Sequence, residues 1–253
     1  MMTRRARALP QLALLTLAAA APLALAACDG DDDDDGGTLR VTIYGEPFIE
    51  EGIPAEEMVD GWAVTFDSFE VVVSQVDADG TRIDGDSAWE LAMNTDGAGQ
   101  VYGSAELSAG NVEYLGYTLG DVHVVGSAVK DGQTISFDWN IPGDTRYSSC
   151  ETGQVLSPDA EATSQITVHA DHLFYDDLVS EEPNVAFQII ADADTDADGI
   201  VTQAELESVD ITGEDRYQVG DADISDLWAY ITAQSATLGH IDGEGHCDAM
   251  VEG

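Results

Sequence analysis

From Thr38 to residue 172, apolar and polar residues alternate with a period of two in short runs broken by glycine and aspartate. A strand turns successive side chains to opposite faces, so this alternation sets an apolar row against a core and a polar row in water. The clearest run has Ile135, Phe137, Trp139 and Ile141 on one face and Thr134, Ser136, Asp138 and Asn140 on the other. Leu39, Val41 and Ile43 form a second such face. Trp62, Val64 and Phe66 alternate, then Phe69, Val71 and Val73 alternate out of phase. The slip predicts a bulge or strand break near Asp67 and Ser68.

Two dipeptides have the turn chemistry of two-residue hairpins. They are Asp79-Gly80, between Val71–Val76 and Thr81–Ile83, and Asp131-Gly132, between Val122–Val129 and Thr134–Trp139. With 38–172 almost all strand and turn, two packed sheets are the economical solution, and a closed barrel is the alternative. The expected fold class is therefore α+β, an antiparallel β-sandwich over 38–172 followed by a small helical segment over 173–253.

In that segment Ser180, Glu181, Glu182 and Pro183 read as a helix start, acidic near the positive end of the dipole and with proline in the first turn. Val185, Ala186, Ile189 and Ile190 then supply a buried stripe. Gln203–Val209 reads as a short helix. Ile224–Leu238 reads as a third, with Leu227, Tyr230, Ile231 and Leu238 inward and Gly239 ending it.

Charge restricts function more than fold. The 253 residues carry 50 acidic and 8 basic side chains, a formal net charge of -42. Such a surface repels phosphate backbones and excludes nucleic acid as a partner class, while it suits cations or salty surroundings. Three of the basic groups, Arg4, Arg5 and Arg7, precede an apolar run from Leu9 to Leu25, and small residues lead to Cys28. This order is that of a secretory signal over residues 1–27. Leu25, Ala26, Ala27 and Cys28 resemble a bacterial lipobox, which implies that Cys28 carries lipid and that the mature chain is anchored to a membrane in the cell envelope, periplasmic or at the cell surface. Cleavage at an Ala-x-Ala-like site, with Cys28 a free thiol, is the alternative. Asp29–Gly37, DGDDDDDGG, is expected to be a solvated tether, giving 28–37 no place in the core.

The most specific motif is the twelve-residue run Asp194–Glu205, DTDADGIVTQAE. Calcium takes six to eight oxygen ligands at ~2.3 to 2.6 Å, so a short loop that binds it must fold its own carboxylates inward from alternate positions. Asp194, Asp196 and Asp198 stand first, third and fifth, Gly199 sixth, Ile200 seventh, Thr202 ninth and Glu205 twelfth. The run resembles the EF-hand family at every position where that family is strict. The resemblance implies side-chain oxygens from Asp194, Asp196 and Asp198, the Ile200 carbonyl, Thr202 directly or through water, and a bidentate Glu205. A register starting at Asp192 fails, because Ala197 would stand where glycine is needed. Gln75–Asp86 echoes the loop, but Asp79-Gly80 reads as a hairpin turn. EF-hand loops pair through a short strand, and here Tyr217–Val219 is the expected partner of Ile200–Thr202.

Cys150 and Cys247 are the cysteines besides Cys28. Export predicts a disulfide between them, with thiolate metal ligation as the alternative. His169, His172, His240 and His246 fall in two short segments, 169–177 and 239–247. A Cys150–Cys247 bridge would bring the second toward the strand carrying the first, so a zinc- or copper-handling protein or metalloenzyme using these four histidines is the alternative function. The competing reading puts His169 on a strand's polar face and His240 and His246 in a glycine-rich tail. His123, between Val122 and Val124, is expected to face solvent. No nucleophile elbow, phosphate loop, dinucleotide fingerprint or helical zinc motif occurs, and catalysis finds no support. The expectation is a calcium-binding exported lipoprotein with a non-catalytic role. The residues name no protein or glycan partner.

Overall fold

The computed structural model describes residues 36–251, and the leader, Cys28 and the acidic run to Asp35 lie outside them. Fourteen strands are formed among the described residues: β1 (Gly36–Gly45), β2 (Ala63–Ala78), β3 (Thr81–Arg82), β4 (Ala88–Glu90), β5 (Gln100–Ser108), β6 (Gly110–Asn111), β7 (Leu115–Lys130), β8 (Gln133–Ile141), β9 (Thr145–Cys150), β10 (Val155–Leu156), β11 (Glu161–Val168), β12 (Ile200–Val201), β13 (Gly239–Ile241) and β14 (Asp248–Val251). The helices are short: α1 (Pro47–Glu50), α2 (Gln188–Asp192), α3 (Gln203–Leu206) and α4 (Leu227–Gln234). The larger sheet runs β12-β8-β7-β2-β3, with β9 on β7, β14 on β9 and β4 on β2, and the smaller runs β13-β11-β1-β5. Apolar faces of both sheets enter one continuous core, giving a β-rich, sandwich-like body.

The alternation fixes which faces are buried. Leu39, Val41 and Ile43 are sealed from solvent, as are Ile135, Phe137, Trp139 and Ile141, while Thr134, Asp138 and Asn140 are exposed. The expected slip is a bulge, with the β2–β7 register shifting between Phe66 and Ser68. Asp79-Gly80 and Asp131-Gly132 are the hairpin turns, both residues of each at positive φ as a type I′ turn requires. Two features depart from expectation. The sheets are mixed, because β1 pairs with β11 and β12 with β8 in parallel. Gly36 and Gly37 belong to β1 rather than to a tether. A Cβ on Gly37 would lie 2.7 Å from the Ser157 carbonyl oxygen, so glycine lets that strand pass close beneath the neighbouring loop.

The segment after residue 172 is not separate from the sheets. It contributes β12 and β14 to the larger sheet and β13 to the smaller, and all described residues belong to one compact unit. The helix expected from Ser180 starts only at Gln188. Residues 176–185 instead run along other segments, with Asn184 bonded to Asp176 and Val185 bridging Met58 and Tyr175. The helix expected from Ile224 starts at Leu227, because 225–227 is held extended by Ile211 N–H to the Ser225 carbonyl at 3.0 Å and Leu227 N–H to the Val209 carbonyl at 3.1 Å. Asp226 then caps α4, accepting from Ala229 N–H at 2.9 Å.

Candidate metal centres

Asp194–Glu205 forms a closed loop between α2 and α3. Asp194 accepts from the Asp198 and Gly199 N–H groups at 3.1 and 3.0 Å, which curls the chain around its carboxylate, and Gly199 supplies the turn at φ +82°. Glu205 closes the other end. One of its oxygens accepts from Thr195 N–H at 3.3 Å and the other from both Thr202 N–H and hydroxyl at 2.9 Å. These bonds, first of all those from Thr202, hold the Glu205 carboxyl below the usual carboxylate range. Carboxylate oxygens of Asp194, Asp196 and Glu205 come within 4.8 Å of one another. Asp198 is not in that group, and its carboxylate accepts from Ile200 N–H at 2.8 Å instead. Thr202 serves as N-cap of α3 in a reciprocal capping box with Glu205.

The loop strand does not pair with Tyr217–Val219, where Gln218 bridges Asp177. Ile200 and Val201 form β12 and pair with Ser136 and Phe137 of β8. Ser136 N–H donates to the Gly199 carbonyl at 2.8 Å, the buried Trp139 indole N–H donates to the Val201 carbonyl at 2.9 Å, and Val201 is fully buried. The sheet thus takes the position that a second loop would hold.

The four histidines of the two segments are not equivalent. His169, His172 and His240 gather, with ring centroids 4.5 to 5.3 Å apart, while His246 is exposed beside them. His169 is buried rather than on a polar face, with Nδ1 3.4 Å from Glu46 and 4.0 Å from Glu244. His240 is not in a loose tail: it sits in β13 opposite Thr167 of β11. The strand is pinned by two stacked tyrosines, since Tyr117 donates to the His240 carbonyl at 3.0 Å and Tyr147 to the Ala236 carbonyl at 2.8 Å. Burial pushes both phenols up, Tyr147 to about 12, so both remain donors. Burial lowers His172, and burial with the neighbouring imidazoles lowers His240 to about 4, so both rings are neutral at neutral pH.

No family model, curated protein or solved structure matches this chain.

Cys150 and Cys247 are disulfide-bonded, across a separation of 97 residues, which removes them as thiolate ligands. The bridge is not what delivers the imidazole: the β13–β11 pairing brings in His240, six residues before His246. Sequence reasoning missed Glu46, Asp171 and Glu244 beside the histidines. Only their sequence nearness to strand ends and histidines could have flagged them, in a chain where carboxylates are everywhere. His123 is half exposed on β7 between Glu70 of β2 and Asp138 of β8, 3.3 and 2.8 Å away.

Proposed function

We propose that the protein is a calcium-binding exported lipoprotein in which the ion stabilises structure, with Asp194–Glu205 as an EF-hand loop. The observation that carries this reading is the convergence of the Asp194, Asp196 and Glu205 carboxylates within 4.8 Å, at the positions where the motif calls for them. Like charges brought that close repel, and a divalent cation between them removes the repulsion. On loading, Asp198 would exchange its bond to Ile200 N–H for the ion, and Thr202 and the Ile200 carbonyl would complete an oxygen shell. Anchorage of β12 to β8 favours a structural role over signalling, because the loop's exit strand is locked into the main sheet whatever the occupancy. Lipid attachment at Cys28 rests on the basic, apolar and small-residue order of the first 28 residues.

The test is thermal unfolding with and without calcium. A single extracellular-type site has a dissociation constant of ~0.1 to 1 mM, so 10 mM calcium should raise the melting temperature by about 3 to 10 °C. Glu205→Gln should abolish the rise while leaving the cap of α3 in place, since glutamine can close the same capping box. An equal rise in wild type and variant would rule the loop out as the site.

A further inference from the structure

The calcium reading makes no use of the crevice where β11, the turn at Asp171–Phe174 and β13 meet. Three imidazoles and the carboxylates of Glu46, Asp171 and Glu244 surround it. His169 is only 5 % exposed, and its Nε2 is sealed from solvent with no hydrogen-bond partner among the described residues. Leaving such an atom unpaired costs about 1 to 3 kcal/mol, a cost that a partner from outside the chain, a water or a metal ion, would relieve. Nδ1 of the same ring faces carboxylates, 3.4 Å from Glu46 and 4.0 Å from Glu244. His172 is oriented by a hydrogen bond. Its Nδ1 lies 2.7 Å from the Thr237 carbonyl oxygen, which can only accept, so the proton sits on Nδ1 and Nε2 is free to ligate.

We propose that this crevice is a second metal site, for one divalent transition-metal ion of the imidazole-preferring kind, zinc in the first instance, held by His169, His240 and Glu244 with His172 as the fourth ligand. Ligand atoms of His169, His240 and Glu244 already lie within 4.8 Å of one another, as do those of His169, Asp171 and His172. Ligands on one tetrahedral zinc stand about 3.3 Å apart, as bonds of 2.0 to 2.1 Å require. The set therefore closes by at most ~1.5 Å on loading. Glu244 can make that movement, being 83 % exposed in a glycine-flanked turn, while His169 is fixed by packing and by its N–H bond of 3.0 Å to the Leu238 carbonyl. Nitrogen donors separate this site chemically from the all-oxygen loop at Asp194–Glu205.

The test is a zinc titration of metal-free protein against a chromophoric chelator, in 5 mM calcium chloride so that hard oxygen sites are occupied. The expected result is one equivalent of zinc with a dissociation constant below about 1 µM, and a weakening of at least ~30-fold in His240→Ala and in His172→Ala. Neither ring is in the deep core, and far-ultraviolet circular dichroism of both variants checks their fold. Glu205→Gln should bind zinc as wild type does, which keeps this outcome independent of the calcium reading. Cobalt in place of zinc should give visible absorption that is lost in His240→Ala. Zinc uptake that survives both histidine changes, or that vanishes in Glu205→Gln or under excess calcium, would assign the ion to the acidic surface and overturn the proposal.

Discussion

Among so many carboxylates, single positive groups carry disproportionate weight. Beyond the leader the chain has five basic side chains, Arg40, Arg82, Lys130, Arg146 and Arg216, and each is engaged. Arg40 pairs with Glu161, Arg82 with Asp84, Arg146 with Asp77 and Arg216 with Asp176. Lys130 donates to Gln188 at 2.9 Å and lies 5.8 Å from the centre of the Trp62 ring. The Arg216 pair differs from the others because the Asp176 side chain is 3 % exposed. Removing the guanidinium leaves a buried carboxylate with only Asn184 to satisfy it. Arg216→Ala should therefore cost about 3 kcal/mol, read as a drop in the urea midpoint, and a change under ~1 kcal/mol would show the pair to be superficial. The charge of His123 couples stability to pH. Hydrogen bonding to Asp138, and then to Glu70, raises its folded pKa above 6.5, with burial opposing. A raised pKa means that the native state binds the proton more tightly, so the contribution is complete below pH 6.5 and is lost as pH rises through the folded value. The melting-temperature gap between wild type and His123→Gln should be larger at pH 6 than at pH 9. A gap that widens toward alkaline pH would contradict the assignment.

At the scale of elements, α2 shows how a short helix can be placed by groups far away in sequence. No local side chain caps it. The Asp60 carboxylate accepts from the Phe187 and Gln188 N–H groups at 2.6 and 2.7 Å, across 127 and 128 positions of sequence. Trp62 adds a bond from its indole N–H to the Gln188 side chain at 3.1 Å. Asp60→Ala should cost about 1 to 2 kcal/mol, with the urea midpoint lowered at unchanged slope. On the proposed calcium reading, affinity should fall with it, because α2 leads directly into Asp194, and an unchanged affinity would mean that the loop is positioned by β12 alone. The same contrast explains what was legible beforehand. Period-two burial in β8, the bulge at Asp67 and the two aspartate-glycine turns are local consequences of side-chain and backbone geometry, and they were readable from neighbouring residues. The start of α2, the parallel pairing of β12 with β8 and the return of β13 to β11 depend on partners more than sixty residues away. Ser180–Pro183 has the local chemistry of a helix start, yet Asp176 and Asp60 outcompete it for the backbone. Likewise the loop's twelve residues could be found by spacing, whereas the union of His169, His172 and His240 required β13 to be placed first. Glu46 stood out only by its place at a strand end, as one of eighteen glutamates in the chain.

Over the whole molecule, acidic side chains outnumber basic ones 50 to 8, a balance that favours self-repulsion. The full chain carries a formal charge of -42, and the few cations of the described body are already engaged, so its carboxylates have no positive charge in reserve to offset them. Sheets built from residues distant in sequence must close against that field, and the Cys150–Cys247 bridge helps by tying β9 to the segment that leads into β14. Salt acts on the same balance from outside. Raising ionic strength from 0.01 to 1 M shortens the screening length from about 30 to about 3 Å, which suppresses repulsion between carboxylates across the surface. It also weakens the exposed Arg40 and Arg82 pairs, but those number two, and surface pairs contribute ~0 to 1 kcal/mol each. The buried Asp176 carboxylate is screened much less. Repulsion therefore has more to lose than attraction, and the melting temperature should climb with sodium chloride over this range. The measurement belongs in excess chelator, so that calcium contamination of the salt cannot fill the Asp194–Glu205 loop. In that buffer Glu205→Gln should show nearly the same climb as wild type, since one charge among fifty barely changes the field. A melting temperature that is flat or falls with salt would mean that local ion pairs, rather than the net field, set stability here. The high acidic content would then have to be explained by cation binding alone.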